Sequence, residues 1–199
     1  DDKTLHNTFH HAMHGGRLDW NVANHSELIQ YYQNFIQEHP TITRAYLYLL
    51  DNLIDDGRLD EAKKVLERRS AIIQDCFNDF YHLLIHESTY GFQATCKEYD
   101  IYLEKNQEWQ AYFLVAGRYA SHGEYEKAIS LFEKSFVLQP KPHYIDHLES
   151  IAQLYLRMHQ NNNAKQAYKR ELQLLKEEWQ QDDSVDVQRV KALLAKCSK

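Results

Sequence analysis

The feature that most limits how this chain can fold is a glycine that recurs at a nearly constant interval. Gly57, Gly91 and Gly123 follow one another at spacings of 34 and 32 residues, and each separates two segments with helical periodicity. A glycine just past the end of a helix readily takes the left-handed backbone conformation that a residue with a Cβ resists. A repeat of this length predicts helical hairpins, each of which buries its apolar face against the next.

The hairpin that is easiest to trace covers residues 109–142. Apolar residues recur at helical spacing on both sides of Gly123, and Pro140 stops the second helix. Ala116 and Ala128 fall where the two antiparallel helices would cross. We therefore expect the two backbones to approach each other closely at that point.

This hairpin resembles a tetratricopeptide repeat (TPR), in which aromatic, large apolar, small and turn residues hold fixed positions along a helix pair. Ser135 departs from the pattern, because the family usually has a second alanine there. The resemblance implies an all-α fold, a right-handed superhelical stack of about five TPR-like hairpins with a C-terminal capping helix. The matching residues are Tyr112, Val115, Ala116, Tyr119, Gly123, Tyr125, Ala128, Phe132 and Pro140.

We expect the 199 residues to form a single repeat domain. Its N-terminal hairpin is interpreted as a degraded or capping unit, because residues 20–24 interrupt it after the first Gly-Arg-Leu-Asp sequence. The expected boundaries are 1–42 for that unit, 43–75, 76–108, 109–142 and 143–180 for the repeats, and 184–198 for the capping helix.

Three local features follow from this register. Cys96 is expected to be a small buried packing residue, because it stands five positions after its turn glycine, as Ala128 does. Residues 161–163, all asparagine, are expected to replace the turn glycine of the last hairpin, since Asn tolerates the left-handed conformation. Ser184 is expected to cap a last amphipathic helix that covers the exposed end of the stack.

The charge balance bears on the kind of partner. The formal net charge is −6 with histidine neutral, and the chain has no Lys/Arg cluster, so we predict a protein partner and no nucleic acid. No apolar run reaches the roughly 20 residues that a membrane span needs. Three widely spaced cysteines form neither a metal motif nor a disulfide framework, which favours a reducing, cytoplasmic location.

Twelve histidines are many for a chain of this length. A spacing of four residues can place two imidazoles on one helix face, but a zinc site needs further ligands that converge from elsewhere. We interpret these histidines as surface residues and keep a metal site at the N-terminal cluster as the alternative. The adjacent carboxylates, including Glu177-Glu178, are likewise interpreted as solubilising surface. The histidines with this spacing are His6, His10, His14, His82, His86, His143 and His147.

The sequence carries no motif for catalysis or for a cofactor. It has no GxSxG elbow, no glycine-rich phosphate loop and no dinucleotide-binding fingerprint. We therefore predict a protein that is not an enzyme and that needs no cofactor.

In a stack of hairpins, the first helices line a concave surface where a partner can bind. By analogy with the tetratricopeptide family, the groove would be lined by first-helix residues that lie off the packing stripe. Their mixed apolar and acidic character predicts a partner segment with apolar anchors and basic flanks. The candidate groove residues are Arg44, Leu47, Asp51, Gln110, Phe113, Gly117, Asp146, Glu149 and Gln153.

The leading hypothesis is a non-catalytic protein-interaction scaffold that binds a partner peptide or helix in this groove, as a domain of a larger protein such as a bacterial regulator or enzyme. The second is a regulatory domain that senses a ligand or metal through the histidine-rich N-terminal helix. The third is an enzyme whose site has no recognisable motif. A fold of this kind supports many functions, so the choice rests on analogy.

Overall fold

The computed structural model describes residues 25–197, and within that range the chain forms ten α-helices. Most successive helices are joined by short turns. The helices are α1 (His25–Glu38), α2 (Thr43–Asp55), α3 (Leu59–Ser70), α4 (Cys76–Tyr90), α5 (Phe92–Lys105), α6 (Trp109–Ser121), α7 (Tyr125–Leu138), α8 (Asp146–Arg157), α9 (Asn161–Glu177) and α10 (Val185–Lys196).

The chain divides into two compact units, Asp1–Thr95 and Cys96–Lys199, and the division falls within α5. In the first unit, α2 packs on both α1 and α3, and α4 packs on α2 and α3. In the second unit, each helix from α6 to α10 packs on the next one along the chain. The all-α stack of helical hairpins predicted from the sequence is confirmed.

Small residues are completely buried on the paired helices of the second unit. Ala116 of α6 and Ala128 of α7 are completely buried, and so are Ala152 of α8 and Ala164 of α9. A methyl side chain on each helix lets two backbones pack at short separation, so a larger residue at any of these positions would force the pair apart.

The turns inside the hairpins mostly follow the predicted geometry, with one change. Gly57 and Gly123 have φ angles of +73° and +82° in three-residue turns between their helices. In the last hairpin the left-handed residue is His159, with φ +58°, and Asn161 already begins α9. The prediction that residues 161–163 form the turn was therefore wrong by two residues, whereas the buried position of Ala164 was predicted correctly.

The turn at Gly91 is shorter than the others and moves the following helix by one position. Gly91, with φ +89°, is the whole connection between α4 and α5. Because α5 starts one residue earlier after its glycine than α3 or α7 does, the completely buried position falls on Thr95, and Cys96 is half-buried. The expectation that Cys96 is the buried packing residue is corrected by this shift.

A buried arginine connects three segments of the first unit. Only 2% of Arg69 is exposed, and its guanidinium donates to both carboxylate oxygens of Asp75 at 2.8 and 2.7 Å and contacts Asn78. Asp75 also caps α4 by accepting a hydrogen bond from Phe77 N at 3.1 Å. Burial would raise the pKa of Asp75, but the hydrogen bonds and charge of Arg69 lower it overall. Asp75 thus serves both a helix end and a buried charge.

The last helix covers the end of the second unit. Ser184 accepts a hydrogen bond from Val187 N at 3.2 Å, so the predicted cap is present. α10 packs on α9, and Val187, Val190 and the following residue Cys197 are buried. No helix in the described part of the chain is both long and apolar enough to span a membrane.

Candidate partner-binding surface

The predicted groove residues lie on three first helices of the hairpins, three residues on each. Arg44, Leu47 and Asp51 lie on α2 in the first unit, and the other six lie on α6 and α8 in the second. Within each helix the three residues are spaced i, i+3 and i+7, so they share one face. The six residues of the second unit are Gln110, Phe113, Gly117, Asp146, Glu149 and Gln153.

On α2, one of the three candidates is engaged by the next first helix. Tyr81 of α4 donates its hydroxyl to Asp51 Oδ1 at 2.6 Å and lies 3.3 Å from the main-chain oxygen of Leu47. Burial, followed by the negative charge of Asp51, raises the pKa of Tyr81 well above its ordinary value, so the phenol stays protonated and acts as the donor. Asp51 is therefore engaged in a contact between hairpins although it is exposed, as Arg44 also is, and Leu47 is half-buried.

On α6, Phe113 also packs against a neighbour. Its ring lies 4.7 Å from the His147 imidazole of α8 and 5.3 Å, edge to face, from the Phe132 ring of α7. Phe113 is half-buried as a result. Because His147 also lies 5.6 Å from the Trp109 ring, these contacts place α8 next to α6.

On α8, Glu149 is paired with the C-terminal helix. Arg189 of α10 donates from Nη1 to Glu149 Oε1 at 2.7 Å and from Nη2 to Glu171 Oε1 at 3.3 Å. Gln153 in turn donates to Glu149 Oε1 at 3.3 Å. The sequence did not indicate this pairing, because Glu149 and Arg189 are 40 residues apart.

Four candidates of the second unit remain on the outer face of α6 and α8. Gln110 is half-buried, and Gly117, Asp146 and Gln153 are exposed. A Cβ built on Gly117 would meet no atom of the described chain within 4 Å. We call these four residues the outer strip. The strip is polar at its edges and has bare backbone at Gly117.

His147 lies behind the outer strip in a network that the sequence did not predict. The hydroxyl of Ser135 donates to the carbonyl of Trp109 at 2.6 Å and lies 2.8 Å from His147 Nε2. Since the only hydroxyl proton of Ser135 goes to that carbonyl, His147 Nε2 carries a proton and donates to Ser135 Oγ. The Gln139 amide nitrogen lies 3.1 Å from both ring nitrogens of His147, and with the proton on Nε2 it donates to Nδ1.

The geometry of this network indicates a structural role. Burial, and then the proximity of His143, lower the pKa of His147 to about 4, so its imidazole is neutral near pH 7. A nucleophilic serine would donate its proton to the histidine, whereas here the histidine donates to the serine and both side chains are buried. The interpretation of His147 as a surface residue was wrong.

Two other residues interpreted as surface also make specific contacts. His143 Nδ1 lies 2.9 Å from Glu178 Oε2, and the His143 main-chain N–H donates to the same oxygen at 2.8 Å. Burial opposes ionisation of Glu178, but the two hydrogen bonds from His143 lower its pKa overall. Glu178 is thus a partner of the loop before α8 rather than a solubilising residue.

The remaining histidines do not converge. His82 is exposed, and His86 Nδ1 lies 3.0 Å from Thr95 Oγ1. Within residues 25–197, no three His, Cys, Asp or Glu side chains are grouped so that they could hold a metal ion. The histidine-rich N-terminal helix and its cluster of His6, His10 and His14 lie outside the described residues.

The chain was compared with known proteins at the levels of sequence and structure. No protein-family profile matches it. No curated protein matches its sequence either. Solved structures do match its fold. A thermophilic TPR protein of Thermus thermophilus is 14% identical, with 87% of this chain and 90% of that one covered at a TM-score of 0.54.

Two further structures have TM-scores of 0.50. The MamA protein is 20% identical, with 81% of this chain and 88% of that chain covered. A chain of the hetero-tetramer Cut9–Hcn1 of APC/C is 15% identical, with 88% of this chain but 33% of that one covered. At these identities the likeness concerns the fold. The fold is that of the tetratricopeptide-repeat proteins, as the pattern of residues 109–142 predicted.

Proposed function

We propose that the chain is a non-catalytic protein-interaction module that holds an extended segment of a partner protein against the outer strip. The fold supports this proposal because paired helices leave one face of each first helix uncovered by the next hairpin. The Cut9–Hcn1 structure, an assembly of different proteins, shares that fold. The partner would lie across α6 and α8 within the second unit.

Gly117 is the observation that carries the proposal. A glycine inside a helix costs about 1 kcal/mol relative to alanine. The chain has no internal need for it, because Gly117 does not have a positive φ and an added Cβ would have open space among the described residues. A glycine in a regular helix allows another backbone to approach closely. We expect the main chain of the partner to lie close to the backbone of α6 at Gly117.

The polar groups around Gly117 define what the partner should present. Gln110 and Gln153 each offer an amide donor and acceptor, which suits an extended main chain with unpaired N–H and C=O groups. Asp146 is exposed at the first turn of α8 and favours a basic side chain at one end of the segment. Phe113 can present only part of its ring to a partner, because the ring also contacts Phe132 and His147.

The experiment selects peptides from a library of unstructured segments, displayed on phage, on the full chain. Selected peptides are then measured by calorimetry against three variants. Gly117→Trp fills the space above α6 and is expected to weaken binding at least tenfold. Gly117→Ala is expected to weaken it less. Ser130→Trp, at an exposed position on the second helix α7, is the matched control and is expected to bind as the wild type does.

The variants also define the outcome that rejects the proposal. Peptides whose affinity is the same for Gly117→Trp and for the wild type bind elsewhere, and the outer strip is then not the partner site. Circular dichroism of each variant shows that the tryptophan has not unfolded the helix pair.

A further inference from the structure

The C-terminal helix is held by a cluster of charges with too few positive groups. Arg189 of α10 is the one guanidinium, and it is shared between Glu149 of α8 at 2.7 Å and Glu171 of α9 at 3.3 Å. Asp186 of α10 lies 3.6 Å from the same guanidinium, and Asp146 of α8 adds a further negative charge nearby. Three carboxylates thus contact one cation, which leaves the cluster negative if all are ionised.

Glu171 is the buried member of this cluster. Its side chain is 0% exposed, whereas the side chains of Glu149 and Asp186 are 25% and 48% exposed. No hydrogen-bonding group of the described chain reaches Glu171 Oε2, nor the hydroxyl of Tyr168 one turn earlier on α9. An ionised carboxylate with an unpaired oxygen is costly in a buried place.

We propose that docking of α10 on the last hairpin is linked to a proton on Glu171: the docked helix keeps that proton, and undocking releases it to solvent. The docked state buries a neutral carboxylic acid. The undocked state exposes the carboxyl group to water, where it ionises. A rise in pH therefore favours release of α10. This inference is independent of the outer strip and of its partner.

The electrostatics of the site agree with the geometry. Burial first, and then the negative charge of Glu149, raise the pKa of Glu171 to about 8, although Arg189 acts in the opposite direction. Arg189 favours the ionised form only weakly, because its shorter contact is with Glu149. The groups that act on Glu171 are Asp146 and Glu149 from α8, Tyr168 from α9 and Arg189 from α10. Asp186 of α10 contacts Arg189, and Cys197, just after α10, acts on Tyr168.

Undocking would uncover an apolar surface. Val187 and Val190 leave their buried positions, and the face of α9 on which α10 packs loses its cover. The end of the second unit would then present apolar area to a second protein. The proton on Glu171 thus controls whether this end of the stack is closed.

The experiment measures hydrogen exchange of the full chain by mass spectrometry between about pH 6 and 8.5. Each rate is divided by the intrinsic rate at that pH, and α6 is the internal reference. If docking retains one proton, the protection of α10 should fall about tenfold per pH unit from about 6 to 8 and then level off. The protection of α6 should not change over the same range.

Two variants assign the effect to its residue. Glu171→Gln has nearly the same shape but does not ionise, so its α10 should be at least as protected as in the wild type at pH 8, with no slope. Asp186→Asn is the matched control, since it removes an exposed carboxylate from the same arginine and should keep the slope. The wild-type profile is decisive by itself, because protection of α10 that does not change with pH overturns the proposal. A slope that persists in Glu171→Gln overturns it as well.

Discussion

The second unit contains two junctions between a hairpin and the helix that follows it, and they bury ionisable groups in different ways. At the junction of α6 and α7 with α8, His147 is buried among aromatic rings and each of its nitrogens has a hydrogen-bond partner. At the junction of α8 and α9 with α10, Glu171 is equally buried but one of its oxygens has no partner in the described chain.

This difference indicates which of the two junctions should depend on pH. A neutral buried group whose hydrogen bonds are all made is not expected to change its protonation state near neutral pH. A buried carboxyl group with an unmatched oxygen gains from exposure as soon as it ionises. We therefore expect the packing of α8 not to change near neutral pH, and the packing of α10 to depend on pH.

Removing the terminal junction entirely should have the largest effect. A chain that ends after Asp183 lacks α10 and exposes the surface that Val187 and Val190 cover. Because burial of one valine is worth about 1.5–3 kcal/mol, we expect the free energy of unfolding to fall by roughly 3–4 kcal/mol after the ordering of the helix is counted. Urea denaturation measures the loss, and light scattering should detect self-association through the uncovered face. A monomer with an unchanged midpoint would contradict the role of α10 as a cap.

Breaking the internal junction should cost somewhat less. His147→Ala removes the ring that contacts Phe113 and Trp109, together with the hydrogen bonds that this ring makes with Ser135 Oγ and the Gln139 amide. We expect a loss of about 2–4 kcal/mol, from the cavity and from the unmet hydrogen bonds. Denaturation at pH 7 measures it, with His82→Ala at an exposed position as the control. A loss below about 0.5 kcal/mol would mean that the network contributes little.

The pH dependence of stability distinguishes the two junctions, because the contributions of His147 and Glu171 have opposite signs. The pKa of His147 is lowered from 6.5 to about 4, so between these values the unfolded chain binds the proton that the folded chain does not, and stability falls as pH falls. The pKa of Glu171 is raised from 4.5 to about 8, so stability falls as pH rises through that range. In the wild type the two contributions largely cancel between about pH 7 and 5.

Glu171→Gln should reveal the contribution of His147. In that variant, lowering the pH from 7 to 5 should reduce the free energy of unfolding by about 2 kcal/mol, since one pKa unit corresponds to about 1.36 kcal/mol. Urea midpoints at several pH values test this expectation. The same pH dependence in the variant and in the wild type would show that the two groups do not act in opposition.

The smallest effect is expected away from both junctions. Gly117→Ala replaces an exposed helical glycine where the added methyl group meets no described atom. It should stabilise the chain by about 0.5–1 kcal/mol, because alanine loses less conformational entropy in a helix. Thermal denaturation measures the change. Destabilisation would mean that something covers this face of α6 in the free chain.

The local pattern of the sequence predicted the helices and most of the turns. The periodic apolar stripes, the turn glycines and the Ser184 cap each depend on residues a few positions apart, which is the range over which helical periodicity operates. The exceptions have local causes too. The single-residue turn at Gly91 shifted the buried position from Cys96 to Thr95, and the left-handed residue of the last hairpin is His159.

The candidate surface was harder to predict, because residues far away along the chain decide which of its side chains are contacted by another helix. Asp51 is engaged by Tyr81, and Glu149 is engaged by Arg189, at separations of 30 and 40 residues. Periodicity states which face of a helix is polar, but not which polar residue the next hairpin will contact. For the same reason His147 and Glu171 resemble surface residues in the sequence, although the structure buries them.

The single-residue turn at Gly91 has a consequence for protein engineering. The hairpins of residues 76–105 and 109–138 have the same length, and their second helices begin at the same distance from the start of the first helix, because α4 is two residues longer than α6 and its turn is two residues shorter. Only the turn glycine is displaced, by one residue. A chimaera that replaces residues 76–105 with residues 109–138 should therefore keep the register of the second helix and of the chain that follows. Crossover points aligned on the turn glycines would move the second helix by one residue, or about 100° of helical rotation, so libraries that recombine these hairpins should align them on the first residues of their helices.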